Sequence, residues 1–281
     1  MPALLAEAAQ PDHSVLAGIA AILSAIAWPA LILGVLIWFR KPIRSLLRSA
    51  VEIAETAEKV KIWQIEFDRA VKQQLDTAAS TAEKAPIDAA AIISPASAPA
   101  AATELKAASK VNRLVADAPT TTVRETMLDS IRERMVGLAS EYDATRAGMP
   151  SGAFRTRAMN VIAAQMRTLG IAAVPFVDEF SKNSSSAGIR LAAICILQMA
   201  PDLRFVPWLC DTMHLEQPFV FYQSSLALLN AVRKFGRSHR SALQKPIEDA
   251  LARLKAFSGT PDAGTIETLD TALKELETMN R

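Results

Sequence analysis

The chain predicts an all-α protein: one N-terminal transmembrane helix, an amphipathic juxtamembrane helix, a flexible linker, and a C-terminal α-helical bundle or short solenoid. Three observations carry this. Residues 15–39 form a run of 25 without a single charge. Elsewhere apolar residues recur at spacings of three and four, and no hairpin signal is present. In its C-terminal half the chain resembles itself at an offset of 32 residues.

The uncharged run comes first. As a helix of ~1.5 Å rise per residue it spans roughly 37 Å, enough to cross a ~30 Å hydrocarbon core with some tilt. Residues 1–39 carry Glu7 and Asp12 but no Lys or Arg, whereas Arg40, Lys41, Arg44 and Arg48 follow at once. The positive-inside rule therefore expects residues 1–14 to be an extracytoplasmic tail and everything after the span to be cytoplasmic, in a single-pass protein of the inner (cytoplasmic) membrane. The same four basic side chains are the candidates for headgroup contact. Trp38 suits the interface, and Trp28-Pro29 is placed to kink the helix. A cleavable signal peptide is the rival, since Ala25-Ile26-Ala27 has a small-x-small pattern. Such a peptide needs a positive n-region and an apolar core of about 7–15 residues, and this chain has neither.

Bulk properties exclude several classes. With 51% hydrophobic residues and a formal net charge of +2, no domain is basic enough for a nucleic-acid footprint. Cys195 and Cys210 fall in apolar helical patterns and are expected as reduced, buried thiols. His13, His214 and His239 stand near no Cys or acidic pair at ligand spacing, so neither a metal nor a cofactor is expected.

Residues 40–79 form the juxtamembrane segment. Pro42 suits an early helical position, and Ile43, Leu46, Leu47, Ala50, Ala54 and Ala57 make an apolar stripe. Over residues 60–68 two readings stay open. Trp63, Ile65 and Phe67 alternate as in a strand, which would need a partner chain. As a helix, Ile53, Ala57, Val60, Gln64, Phe67 and Val71 make an approximate heptad seam. Either form points to self-association. The span, its basic LLR-type turn and the IEF stretch resemble small bacterial single-pass membrane proteins of unassigned function.

Residues 80–120 turn to Ala, Ser, Thr and Pro, with Pro86, Pro95, Pro99 and Pro119 irregularly spaced. This composition predicts a semi-extended tether without chemistry, in which 105–115 forms at most a transient helix.

Residues 121–281 are expected to be a compact helical domain. Thr122 with Glu125 has the spacing of a capping box ahead of Met127, Leu128, Ile131, Met135 and Leu138. A second helix over 154–169 stops at Gly170, in the position of a C-cap. Val174-Pro175-Phe176-Val177-Asp178 then recurs as Val206-Pro207-Trp208-Leu209-Cys210, with Ala192-Ala193 mapping to Ser224-Ser225 and Ile196-Leu197 to Leu228-Leu229. A period in the thirties with two helices per unit is the signature of a helical solenoid. The Pro-x-apolar first helix, and Arg190, Ala193 and Leu197 in the second, resemble HEAT repeats over residues 172–236, although Tyr222 stands where the first unit has Arg190.

The resemblance implies a cytoplasmic protein partner rather than catalysis. It gives Arg190 a bracing role between repeats, with ligand contact as the alternative. Arg190, Trp208, Phe219 and Tyr222 are the candidate partner-binding residues, although the cluster Phe219, Phe221 and Tyr222 suits core packing as well. Two units need caps, and a last helix with Ile266, Leu269, Leu273 and Leu276 can supply one.

No nucleophile elbow, phosphate-binding loop, dinucleotide fingerprint, zinc pair or HExxH helix is present, so no catalytic residue is nominated and no enzyme is expected. The leading expectation is a membrane-tethered adaptor or scaffold. The alternatives are a homo-oligomeric membrane component, assembled through the span and juxtamembrane segment with a stress or membrane-integrity role, and an enzyme with an unrecognised site.

Overall fold

Every regular element described is a helix. The computed structural model describes residues 28–29, 31–34, 37–38, 61–85, 98–182, 185–256 and 263–279. The tail 1–14, most of the expected span, Arg40, Lys41, Arg44, Arg48, the stripe from Ile43 to Ala57 and the stretch 86–97 lie outside them. Residues Met1–Lys61 and Ile62–Arg281 form separate units.

In the first unit, 28–29, 31–34 and 37–38 are helical. Trp28, Leu31, Ile32, Leu33, Ile37 and Trp38 are all more than half exposed there. Among the described residues no single helix is long and apolar enough to cross a membrane.

The described residues 61–84 are helical and form α1. The two readings of 60–68 thus resolve to helix wherever they can be seen. Phe67, Val71, Leu75 and Ala78 lie at spacings of three and four on one face of α1 and are buried within the single chain. The seam read as a self-association surface is, in its described part, already covered.

The tether expected over 80–120 takes another form. α1 runs on to residue 84, and Ala98–Ala116 is a 19-residue helix, α2. Alanine is the best helix former, and Pro99 falls in the first turn, where its missing N–H breaks no bond. Ala108, Val111 and Val115 are buried, and α2 packs on a later helix.

Then come α3 (Thr121–Gly148), α4 (Ala153–Gly170), a 3-10 turn at Val174–Phe176 leading into α5 (Val177–Ser181), and α6 (Ala187–Met199). A second 3-10 turn, Leu203–Phe205, leads into α7 (Val206–Leu215), followed by α8 (Pro218–Phe235), α9 (Arg240–Lys255) and α10 (Ala263–Thr278). The two copies of the 32-residue pattern are thus each a short helix followed by a longer one. The apolar pair of α4 with the segment Val174–Ser181 is bent by 105°, and its buried side chains belong to the core.

The helices make two layers. In one, α2 packs on α4, α4 on α6, α6 on α8, and α8 on α10. In the other, α3 lies against α4 and α6, α5 against α6, α7 against α8, and α9 against α7, α8 and α10. α6 is apolar on nearly every side, and Leu191 to Gln198 are all buried, as a helix enclosed by neighbours requires.

Two glycines owe their place to helix crossings. A Cβ on Gly188 would lie 2.0 Å from the Ala139 carbonyl oxygen, so α6 meets α3 backbone to backbone. A Cβ on Gly170 would lie 2.9 Å from Met199 Cγ and 3.2 Å from the Cys195 oxygen. Gly170 is therefore not the left-handed C-cap the sequence implied. α4 includes it, and its small size lets α6 approach.

The α3 cap also differs from expectation. Thr120, extended at φ −140°, accepts from the Val123 N–H, two residues earlier than the Thr122–Glu125 box would place the cap. Arg124 then donates to the Ala116 oxygen at 3.0 Å, tying the start of α3 to the end of α2.

Candidate interaction surface

Each layer is joined by polar pairs from helix to helix. Arg167 on α4 donates from Nε and Nη2 to the two carboxylate oxygens of Glu104 on α2, both at 2.9 Å. Its Nη1 reaches Gln223 Oε1 on α8 at 3.3 Å. Gln198 on α6 donates to the Gln223 backbone oxygen at 2.7 Å and to its side chain at 3.0 Å, while Asn230 donates to the Gln198 oxygen at 2.9 Å. This chain of buried amides and charges crosses α2, α4, α6 and α8. Burial opposes the charge on Arg167, but the Glu104 carboxylate outweighs it and raises the Arg167 pKa.

The other layer has exposed pairs in the same rhythm. Arg132 on α3 bonds Glu179 on α5, and Arg204 after α6 lies 3.9 Å from Asp178. Arg253 on α9 meets Asp211 on α7 at 3.2 Å. Exposed pairs of this kind contribute little to stability, because water and salt screen them. Their consequence is chemical: this face presents alternating charges from successive helices.

The candidate partner-binding residues are used differently. Arg190 bonds Glu216, which follows α7 and whose side chain is 4% exposed, so the arginine ties one helix pair to the next. Tyr222 is buried, while Trp208 and Phe219 are half-buried. The Phe219 ring packs on Tyr142 with centroids 5.8 Å apart. The structure brings Arg190 and Phe219 to one junction, against Glu216 and Tyr142, and fills it with the chain's own groups.

Two residues at that junction had no sequence signal. Asp143 on α3 accepts from the Ser186 hydroxyl at 2.6 Å and the Gly188 N–H at 2.9 Å, capping α6 from another helix. Tyr142 is fully buried, its hydroxyl has no hydrogen-bond partner, and burial pushes its pKa up to about 12. Cys195 and Cys210 are buried free thiols, each also pushed by burial up to about 12.

Among the described residues no three His, Cys, Asp or Glu side chains group to hold a metal ion. Two depressions among the described residues are open and shallow: one along the outer face of α1, and one where Gln64 and Asp68 of α1 meet Ser130 and Arg134 of α3. In the second, Asp68 accepts from Ser130 at 3.1 Å and Arg134 at 3.0 Å, which fastens α1 to α3.

No protein-family model, no curated protein and no solved structure matches the chain.

Proposed function

We propose that the protein is a membrane-tethered adaptor. The uncharged run 15–39 is the anchor in the inner membrane, the N-terminus lies outside, and the helical head faces the cytoplasm and holds a protein partner. One observation carries the reading: every second helix from α2 to α10 packs on the next, so the head is a layered array rather than a closed bundle around a cleft. Arrays of this kind offer extended surfaces for proteins. The HEAT-like reading of 172–236 belongs to the same proposal, supported by the two helix pairs at the 32-residue offset and by Arg190 bracing Glu216.

The anchor is supported by the basic flank after Phe39 and, among the described residues, by the exposure of Trp28, Leu31, Ile32, Leu33, Ile37 and Trp38 in the single chain, as a lipid environment requires. The partner is assigned to the layer of exposed, alternating charges rather than to Arg190 or Tyr222, which serve the fold.

The test uses the full chain in its own membranes. After cross-linking and purification, a cytoplasmic protein should be retained in fixed ratio by residues 1–281, and not by residues 1–60 alone. Retention of nothing beyond what 1–60 retains would remove the adaptor reading. Carbonate extraction and protease access from the cytoplasmic side test the topology independently.

A further inference from the structure

Six large apolar side chains are exposed among the described residues after Lys61: Ile62, Trp63, Ile65, Leu105, Phe154 and Val174. Three of the six stand within four consecutive positions of α1, Ile62 to Ile65. Ile62 is 51% exposed and Ile65 59%, and the two are three residues apart, on one side of the helix. Trp63 flanks them at 36%. Such clustering is not the scatter of single apolar residues that any surface shows.

The rest of α1 fixes how this corner is presented. Its opposite face is taken up by Phe67, Val71, Leu75 and Ala78, and Asp68 is bonded to Ser130 and Arg134 of α3. α1 is therefore held in the head from Phe67 onward, while Ile62 to Ile65 keep an apolar corner bare. Exposed Arg69 and Lys72, four and seven residues beyond Ile65, continue the same side of the helix, with exposed Glu66 among them. An apolar corner with an indole beside it and two long cations on the same side is the composition of a helix face that lies at the headgroup boundary of a bilayer.

From these residues we infer that the turn of α1 at residues 62–65 docks the head onto the membrane surface, with Ile62, Ile65 and Trp63 entering the headgroup layer and Arg69 and Lys72 meeting anionic headgroups. The inference rests on the tethered reading in one respect, which is what fixes the occupant as lipid. Residues 40–61 separate the uncharged run from the docking turn and reach at most about 75 Å fully extended. The turn is thus kept at high effective concentration near the bilayer, so a small apolar patch is enough for docking. The head then alternates between a docked and a free state, and its orientation toward a partner differs between them.

The experiment places the full chain in nanodiscs of phosphatidylcholine and phosphatidylglycerol carrying brominated acyl chains, with Trp28, Trp38 and Trp208 replaced by Phe so that Trp63 reports alone. Bromine quenching of Trp63 is expected, together with loss of that quenching in I62S/I65S, whose replaced side chains are already exposed and leave the fold intact. Slowed amide exchange over 62–66 in the unsubstituted chain, relieved by I62S/I65S, gives the same readout without the Trp changes. Unquenched Trp63 with unprotected amides overturns the inference. Cross-linking of I65C to a second copy without quenching also overturns it, and makes the corner a self-interface. A chain that carbonate releases from membranes defeats the tethered reading, and quenching at neutral pH still decides the docking.

Discussion

Glu104 and Arg167 meet fork to fork, two nitrogens on two oxygens at 2.9 Å, although 63 residues separate them in the chain. The pair fastens α2 to α4 beside the small buried side chains of Ala108, Val111 and Val115 on α2. Removing one partner strands the other as a largely buried charge, a change that costs about 3 kcal/mol. Glu104→Ala is expected to lower the urea midpoint accordingly and to open 98–116 to protease. The double variant E104A/R167A should cost less than the sum of the singles, with a coupling of about 1–3 kcal/mol. Additive losses would mean the two side chains act independently.

Gly188 and Gly137 make a matched contrast. A methyl on Gly188 would meet the Ala139 backbone, which is not free to move aside, whereas Gly137 on the exposed side of α3 has nothing within 4 Å of the corresponding position. Gly188→Ala is expected to destabilise by about 3 kcal/mol through forced separation of α3 and α6. Gly137→Ala should stabilise by about 0.5–1 kcal/mol, because a helix interior prefers Ala. Thermal melts of the two variants check both signs, and a tolerated G188A would mean that α6 does not cross α3 at this point.

Stripes were legible in the sequence, and meetings were not. Met127, Ile131, Met135 and Leu138 could be read as one helix face because their spacing is local, and all four are buried. The paired helices at the 32-residue offset were readable for the same reason. Segment 98–116 was not, because Ala and Pro composition describes tethers and Ala-rich helices equally until a partner such as Arg167 selects one. Gly170 shows the same limit: a glycine at a helix end looks like a cap, and only the approach of Met199 reveals a crossing. Asp143 capping Ser186 and Gly188 across 43 and 45 residues leaves no periodic trace.

Arg190 provides the test between bracing and partner contact. Its carboxylate partner Glu216 is almost wholly enclosed, so Arg190→Ala leaves a buried anion without its cation. The expected loss is about 3 kcal/mol of stability, with partner retention by the surviving folded protein unchanged. Arg132→Ala should behave in the opposite way, with little change in stability and weakened retention, since Arg132 and Glu179 are both nearly half exposed. Urea titration beside cross-linking yield separates the two. Full stability with lost retention in R190A would restore it as a contact residue.

Tyr142 combines a useful ring with a costly hydroxyl. The ring is fully buried against Phe219, but the oxygen forms no hydrogen bond. Leaving a buried hydroxyl unsatisfied costs about 1–3 kcal/mol, so Tyr142→Phe should raise stability by about 1 kcal/mol near neutral pH. The same burial sets the alkaline behaviour. Tyr142 ionises near 10 when unfolded and about 12 when folded, and Cys195 and Cys210 near 9 and about 12. The folded state therefore holds these protons more tightly than the unfolded chain. Their contribution is fully present below about pH 9 and is lost as pH rises toward 12. Y142F should flatten the part of that decline above pH 10, and C195A/C210A the part that begins near 9. Urea midpoints from pH 7 to 11 give the slope, and a stability that rises over this range would show that none of the three groups is buried as described.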